Sequence, residues 1–272
     1  MAKRRFIRRR EMKDFTSEVL QNRKLSPYYY ELLFKWDKPA GDPLPGQFVT
    51  ITPSISTDPL LRRPFAVSSF DKKTNSAAVI IQIRGKGTEM LSCLQTGDKI
   101  GILGPLGNGF ILCGSNRIPI IAAGGTGLGP MLFLLDEFLK LKIEPLFITG
   151  FRDKNRIISS VPESSDDRSV ICTDDGSEGF HGTVADYIKT IPIPRLRASC
   201  LYACGPVPMM KACHVIAVDN DIPCFVSMEE MMGCAVGACM GCVIPAAGKK
   251  DEKYYRVCKD GPVFESRNLK WT

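Results

Sequence analysis

Short hydrophobic stretches separated by turn-forming residues fill the first part of the chain, between residues 14 and 113. Each stretch either alternates apolar and polar positions or is apolar throughout. They are Phe15–Leu20, Tyr28–Phe34, Gln47–Thr52, Phe65–Ser69, Ala77–Arg84 and Lys99–Leu103. The pattern predicts one short helix over Thr88–Leu94, with apolar residues at 90, 91 and 94. Many short strands with regular turn signals predict an antiparallel β-barrel.

A different pattern begins at Arg117, where apolar strands alternate with helical segments. Strands are predicted over 118–123, 145–149, 169–173 and 201–204, and helices over 130–142, 184–190 and a segment that ends near Asn220. Such alternation predicts a doubly wound parallel sheet, as in α/β proteins.

The alternation ends after Pro223, and the remaining segment has too little apolar material for a core of its own. We therefore predict a multidomain β plus α/β protein of four parts. These are a basic arm (1–13), a β-barrel (14–114), an α/β domain (115–223) and a small C-terminal lobe (224–272).

The net charge of +7 comes almost entirely from the first ten residues, which carry six basic side chains and no acidic one. A nucleic-acid-binding protein would carry such charge on a folded face, so no nucleic-acid partner is predicted. No apolar run reaches the roughly 20 residues of a membrane-spanning helix, and no apolar segment follows the basic start. The chain has eleven cysteines, an odd number, which argues against a disulfide framework. We expect a cytoplasmic protein with no membrane span.

Four of the cysteines lie within 25 residues of one another, at Cys234, Cys239, Cys242 and Cys258. The spacing C-x4-C-x2-C with a distant fourth cysteine is that of plant-type ferredoxins, which hold a 2Fe–2S cluster. The loop is rich in glycine and alanine, so its N–H groups can turn toward sulfur. Zinc also binds four thiolates, but its usual motif is paired Cys-x2-Cys units. The spacing favours the iron–sulfur cluster.

Two glycine-containing turns each join a predicted strand to a helix. The first contains Gly124, Gly125, Thr126 and Gly127, and the second contains Cys204, Gly205 and Pro206. Glycines let phosphates approach the backbone, and a helix N-terminus favours negative charge. Either turn alone is equally explained as a tight connection without a ligand. Together, at the carboxyl ends of parallel strands, they predict a nucleotide-binding crevice.

A third motif lies in the predicted barrel, where Arg63 enters a strand and Gly87 and Thr88 open the short helix. An arginine beside a helix N-terminus favours a phosphate site, and Phe65 is suited to pack on a planar ring. A basic loop beside an ordinary turn is the alternative explanation.

Together these motifs resemble the ferredoxin–NADP reductase superfamily, in which a flavin-binding barrel precedes a nicotinamide-binding α/β domain. Arg63-Pro-Phe-Ala66 resembles its flavin motif, and Gly87-Thr88 resembles its contact to the FAD pyrophosphate. The two glycine-containing turns resemble its nicotinamide-nucleotide motifs. A narrower resemblance, to the electron-transfer subunits of NAD-dependent (type B) dihydroorotate dehydrogenase, is carried by residues 104–110, 173–177, the cysteine loop and 256–264.

The resemblance implies cofactors, site residues and a partner. FAD would contact Arg63, Pro64, Phe65, Ala66, Ile80, Ile81, Gln82, Gly87 and Thr88. NAD would contact Gly124, Gly125, Thr126, Gly127, Cys204, Gly205 and Pro206. The cluster would be held by Cys234, Cys239, Cys242 and Cys258. Electrons would come from the FMN of a catalytic subunit that oxidises dihydroorotate, in a heterotetramer of two plus two subunits, and would leave as hydride to NAD⁺. Because the flavin itself transfers the hydride, no catalytic residue is implied in this chain.

Two positions depart from the superfamily pattern. Ala66 stands where the flavin motif has Ser or Thr, and Ile81-Gln82 stands where a Tyr-Arg pair is usual. Both changes remove side-chain contacts to the flavin, while main-chain contacts stay available.

Three other functions remain open at this point. One is a diaphorase-type subunit of a ferredoxin:NAD(P)H reductase or hydrogenase complex, which would share the same layout. Another is a non-enzymatic redox sensor on the same scaffold, and the third is a zinc-stapled interaction module. The choice of NAD over NADP rests on the resemblance alone. Arg152, Lys154 and Arg156 follow the second strand of the sheet, a position that is also compatible with binding the 2′-phosphate of NADP.

Overall fold

The computed structural model describes residues 12–53, 58–114, 116–161, 168–248 and 254–271. Of the predicted basic arm (1–13), residues 1–11 lie outside the described residues.

Six antiparallel strands close into a barrel in the order β1-β2-β5-β4-β3-β6, as the hydrophobic pattern predicts. Side chains of alternate residues fill the barrel, among them Val49, Ile51, Val79 and Ile81. The strands are β1 (Lys13–Ser26), β2 (Tyr29–Lys35), β3 (Phe48–Ile51), β4 (Arg63–Asp71), β5 (Ser76–Gln82) and β6 (Lys99–Leu106). The short helix between β5 and β6 is α1 (Lys86–Ser92), which begins two residues earlier than predicted.

The second domain is a parallel sheet with helices on both faces, which confirms the predicted α/β class. Its strands are β7 (Ile118–Gly124), β8 (Leu146–Phe151), β9 (Ser169–Thr173), β10 (Phe180–His181), β11 (Ser199–Cys204) and β12 (Cys224–Ser227), and its helices are α2 (Leu128–Lys140), α3 (Val184–Thr190), α4 (Ile193–Arg197) and α5 (Val207–Asp219). The parallel strands lie in the order β10-β9-β8-β7-β11-β12.

The helix α2 connects the two domains. One of its faces packs on the sheet through Met131 and Leu134, which belong to the cluster that contains Ile121 and Tyr202. Its Phe133 instead enters the hydrophobic core of the barrel. Because α2 follows the first glycine-containing turn directly, this packing holds that turn against the barrel.

The C-terminal segment contributes to the sheet as well as forming the lobe. It contains β13 (Val243–Pro245), β14 (Tyr254–Arg256), α6 (Val257–Asp260) and β15 (Val263–Glu265). The strands β13 and β14 form a two-stranded sheet, and β15 pairs with β12 in antiparallel orientation as the seventh strand of the large sheet.

The structure therefore differs from the expectation that residues 224–272 form only a separate lobe. Cys224 pairs in register with Leu201, so the first four residues of that segment are a strand of the α/β sheet. A stretch of four residues, mostly buried, shows no periodicity from which a strand can be read.

Of the helices in the described ranges, none is long and apolar enough to cross a membrane.

Candidate functional site

The two glycine-containing turns lie side by side at one edge of the sheet. The chain runs from β7 outward to β10 on one side and then crosses over to β11 and β12 on the other. The strands β7 and β11 are thus neighbours, and their ends meet because Ala123 pairs with Cys204. A point where the strand order reverses is where open α/β sheets bind ligands, at the carboxyl ends of the strands.

Glycine is required in these turns because the two backbones nearly touch. A Cβ atom on Gly127 would lie 2.2 Å from the carbonyl oxygen of Cys204, and one on Gly124 would lie 2.9 Å from Cδ of Pro206. Gly205 has a φ of +153°, which side-chain-bearing residues rarely adopt. The two turns are therefore packed closely against each other at the carboxyl ends of β7 and β11.

The barrel motif also comes together around a glycine. A Cβ atom on Gly87 would lie 2.9 Å from Nε of Arg63, so the guanidinium lies against the backbone of the first turn of α1. The Oγ1 atom of Thr88 accepts hydrogen bonds from the backbone N–H groups of Arg84 (2.9 Å) and Gly85 (3.2 Å). A guanidinium held beside the start of a helix is suited to a phosphate.

A single cleft joins the barrel to the edge of the sheet. It is lined from the barrel side by Phe48 and Arg84. From the C-terminal side it is lined by Met228, Glu229, Glu230, Met232 and Pro262. Seven of the residues predicted from the sequence also line it: Pro64, Phe65, Ala66, Ile80, Gln82, Thr126 and Cys204. The structure thus brings residues of the predicted flavin and nicotinamide sites into one space.

Ile81 does not share this cleft. Its side chain is fully buried in the barrel core, because neighbouring residues of a strand point to opposite sides. Ile80 and Gln82 face the cleft instead. The same alternation puts Arg84 on the side of Gln82, and Nε of Arg84 donates a hydrogen bond to Oε1 of Gln82 (2.6 Å). Arg84 therefore supplies a positive charge next to Gln82, which stands where the superfamily usually has an arginine.

Glu229 is a cleft residue that the sequence analysis missed. It follows β12, and its Oε1 accepts a hydrogen bond from Oγ1 of Thr126 at 3.5 Å. Although the side chain is exposed at the mouth of the cleft, the surrounding protein raises the pKa of its carboxyl group by desolvation, and Arg84 and Thr126 act in the opposite direction. Recognition of Cys224–Ser227 as a sheet strand would have directed attention to this position.

Burial also raises the pKa of the Cys204 thiol. This side chain is 1% exposed, so at neutral pH it is an uncharged group in the floor of the cleft.

The four cysteines of the C-terminal loop lie near one another as two pairs. The Sγ atoms of Cys242 and Cys258 are 3.2 Å apart and buried. The antiparallel pairing of Val243 with Arg256 holds these two cysteines together. Cys234 and Cys239 form the other pair, with the backbone N–H of Cys239 donating to Sγ of Cys234 at 3.3 Å.

This arrangement fits a cluster of two irons, each of which takes two thiolates. Across the described ranges, no three Cys, His, Asp or Glu side chains converge as ligands of one metal ion. Burial acts to raise the pKa of the Cys234 thiol, but N–H donors including Cys239 and Ala238 lower it to about 6. Burial raises the pKa of the Cys258 thiol to about 12.

Arg256 and Gly237 hold the cysteine loop against α6. The guanidinium of Arg256 pairs with Asp260 at 3.1 Å and donates to the carbonyl oxygen of Gly237 at 3.2 Å. Gly237 has a φ of +82°, and a Cβ atom there would lie 2.6 Å from Cδ of Lys259. The Arg256 side chain thus links the cysteine loop to α6.

Comparison with known proteins agrees with this geometry. Residues 229–270 match a sequence model of the iron–sulfur cluster binding domain of dihydroorotate dehydrogenase B. The matched segment contains all four cysteines of the loop.

Among solved structures, that of an NADH-dependent reduced ferredoxin–NADP oxidoreductase superposes with a TM-score of 0.81 at 25% identity, covering 94% of this chain and 90% of the other. A ferredoxin reductase of carbazole 1,9a-dioxygenase superposes with a TM-score of 0.67 at 17% identity, covering 78% of this chain and 67% of the other. This second likeness concerns the fold alone.

Relatives by sequence extend over most of the chain. The electron transfer subunit of dihydroorotate dehydrogenase B (NAD(+)) from Desulforamulus reducens is 36% identical over 260 residues, which cover 95% of this chain and 99% of that protein. The subunit of the same name from Geobacillus kaustophilus is 38% identical over 224 residues, covering 82% of this chain and 85% of the relative. The narrower resemblance seen in the sequence is confirmed, and the chain belongs to the family of electron transfer subunits of dihydroorotate dehydrogenase B.

Proposed function

We propose that this chain carries electrons from a 2Fe–2S cluster through FAD to NAD⁺, on behalf of a separate FMN-containing subunit that oxidises dihydroorotate. The observation that carries the proposal is the single cleft, in which barrel residues, the two glycine-containing turns and the segment leading to the cysteine loop meet. NAD⁺ accepts a hydride, which carries two electrons, whereas a 2Fe–2S cluster carries one electron at a time. A carrier between them must therefore exchange both hydride and single electrons. When bound, a flavin supplies that chemistry, since it exchanges hydride with nicotinamide and single electrons with a cluster.

Different residues of the chain would bind each cofactor. Arg63 and the first turn of α1 would hold the flavin pyrophosphate, and Phe65 would pack against the ring system. The turns 124–127 and 204–206 would take the phosphates and the nicotinamide of NAD⁺. Cys234, Cys239, Cys242 and Cys258 would hold the cluster. The uncharged Cys204 would exclude water from the floor of the cleft.

Exposed apolar side chains around the cysteine loop support docking of the catalytic subunit there. Met231 is 86% exposed and Leu60 is 73% exposed, and Leu61, Val236 and Met240 are also open to solvent. A monomer seldom leaves such side chains clustered unless the surface is covered by a partner. The assembly we propose has two copies of each subunit.

A cytoplasmic location is part of the proposal. All eleven cysteines lie within the described residues, and none forms a disulfide bond. Unpaired thiols are typical of a reducing compartment.

An anaerobic absorption spectrum of the purified chain, recorded before and after NADH, tests the proposal. Flavin and iron–sulfur bands that bleach together would support both cofactors and their connection to the nicotinamide site. A colourless chain would contradict it in favour of a zinc module, and bands that persist in NADH would favour a sensor. NADPH in a parallel titration decides which dinucleotide is used.

Copurification identifies the partner. A dihydroorotate-oxidising FMN protein retained by the tagged chain supports the proposal. A hydrogenase or a larger iron–sulfur flavoprotein in its place would mean a diaphorase-type subunit.

Ala66→Ser should strengthen FAD binding. Ala66 lines the cleft and pairs with Phe48 in the β3–β4 ladder, so a hydroxyl there would face the flavin. One added hydrogen bond contributes about 0.5–1.5 kcal/mol, which lowers the dissociation constant about two- to tenfold. Fluorescence titration of the cofactor-free chain with FAD measures this change, with Ala247→Ser at an exposed site as the control. An unchanged or weaker affinity would mean that the flavin does not approach residue 66.

A further inference from the structure

A second cavity, of about 300 Å³, lies between the barrel and the cysteine loop. Its barrel wall contains Thr50, Leu60, Leu61 and Arg62, and its other wall is the segment 232–235, which includes Cys234. Met232 borders this cavity and also the cleft. The cavity thus lies beside the first cysteine of the loop and next to the proposed flavin site.

Thr50 and Arg62 each carry a polar atom that nothing in the described part of the chain satisfies. The Oγ1 atom of Thr50 and the Nη1 atom of Arg62 are buried and have no hydrogen-bond partner there. Thr50 is 2% exposed. Its strand neighbours Val49 and Ile51 fill the barrel core, so the side chain of Thr50 points outward, toward the cysteine loop.

The guanidinium of Arg62 is held in place by its other nitrogen. Nη2 donates to both carboxylate oxygens of Asp14, at 3.0 and 3.1 Å. This pairing fixes the orientation of the guanidinium and leaves Nη1 directed away from the carboxylate. The ion pair lies at the surface, where Asp14 is well exposed, so solvent screens much of the charge on Asp14.

Buried donors without partners are unfavourable, and their presence is explained by an acceptor in the same space. Among the residues that line the cavity, Cys234 is the one that becomes an anionic acceptor when it binds metal. Leu60, Leu61 and Met232 contribute only apolar side chains to the cavity wall, so none of them is a strong hydrogen-bond acceptor for these donors.

We propose that Arg62, assisted by Thr50, sets the reduction potential of the iron–sulfur cluster. This inference rests on the proposed function, since it requires that Cys234 binds the cluster. One-electron reduction adds a unit of negative charge at the cysteine loop and moves no proton at Arg62. A fixed positive charge and hydrogen bonds to sulfur both favour the reduced form, so these two residues raise the potential.

The test is an anaerobic redox titration of the full chain, followed by electron paramagnetic resonance of the cluster. Arg62→Gln should reduce the equilibrium constant for one-electron reduction about tenfold, which lowers the potential by about 59 mV. Thr50→Val removes the hydroxyl at nearly constant volume and should lower the potential by a smaller amount. Arg62→Lys keeps the charge and should recover most of the loss.

Lys99→Gln is the matched control. Lys99 also pairs with an acid on β1, Glu18, at 2.7 Å, so its replacement changes the net charge equally. Glu18 lies four residues beyond Asp14, about 13 Å along the strand, and neither it nor Lys99 lines the cavity. The potential of this variant should equal that of the unsubstituted chain.

The results of the redox titration distinguish failure of this proposal from failure of the proposed function. An unchanged potential in Arg62→Gln, or an equal shift in Lys99→Gln, overturns the proposal. Should Arg62→Gln fail to assemble the cluster, Arg62→Lys and Thr50→Val decide, and unchanged potentials in both overturn it. Absence of any cluster signal in the unsubstituted chain would instead contradict the proposed function.

Discussion

Cys242→Ser should abolish electron exchange with the catalytic subunit while leaving part of the NADH-dependent reduction of an artificial dye. Cys242 is buried with its Sγ atom 3.2 Å from that of Cys258, so serine removes one thiolate of an inner pair. The barrel and sheet residues of the cleft proposed for flavin and nicotinamide belong to other elements and keep their positions. Because altering even a residue behind a metal ligand costs about 10–100-fold, we expect loss of the ligand to reduce dihydroorotate-dependent NADH formation by about 100-fold or more.

Steady-state assays with the catalytic subunit and with the dye measure the two activities side by side. Cys213→Ser is the matched control, because Cys213 is equally buried but lies in α5, outside the cysteine loop. It should retain both activities. An equal loss of both activities in Cys242→Ser would mean that the cluster is structural or that the order of carriers is different.

Gly127→Ala should impair the nicotinamide site and the stability of the α/β domain together. The added Cβ atom would lie 2.2 Å from the carbonyl oxygen of Cys204 and 2.6 Å from the backbone nitrogen of Gly205. Both are backbone atoms, so no side-chain rotation relieves the overlap and the two turns must separate. Overpacking of this kind costs about 1–3 kcal/mol of the free energy of unfolding. Because both turns belong to the proposed dinucleotide site, we expect the KM for NADH to rise about tenfold or more.

Denaturant unfolding and NADH-to-dye kinetics check the two effects. Gly248→Ala is the control, since a Cβ atom on Gly248 would meet nothing within 4 Å. It should change neither measurement. A normal KM in Gly127→Ala would show that the dinucleotide does not use this pair of turns.

The barrel and the α/β class were predictable because each leaves a repeating signal in the sequence. The alternation that fills the barrel with Val49, Ile51 and Val79 is visible as apolar and polar positions. The four cysteines were equally visible, because their spacing is local. Signals of this kind depend on neighbours in sequence, so one chain is enough to read them.

The parts that sequence reasoning missed depend on contacts between distant residues. The strand β12 is too short to show a period, so the position of Glu229 at the mouth of the cleft could not be derived. Ile81 was grouped with its neighbour Gln82 by motif, whereas the pleat of β5 turns the two side chains apart. Arg84 lies two residues after Gln82, so the same alternation predicts that its side chain also faces the cleft.

The short strand β15 has a consequence for handling the protein. It pairs with β12, which would otherwise present a row of open N–H and C=O groups along the rim of the sheet. Unprotected rims recruit strands from other molecules and lead to aggregation. β15 begins only five residues after Cys258, so disorder around an empty cysteine loop would separate β15 from β12. Preparations that lack iron should therefore precipitate more readily than loaded ones, even though the rim lies in the α/β domain.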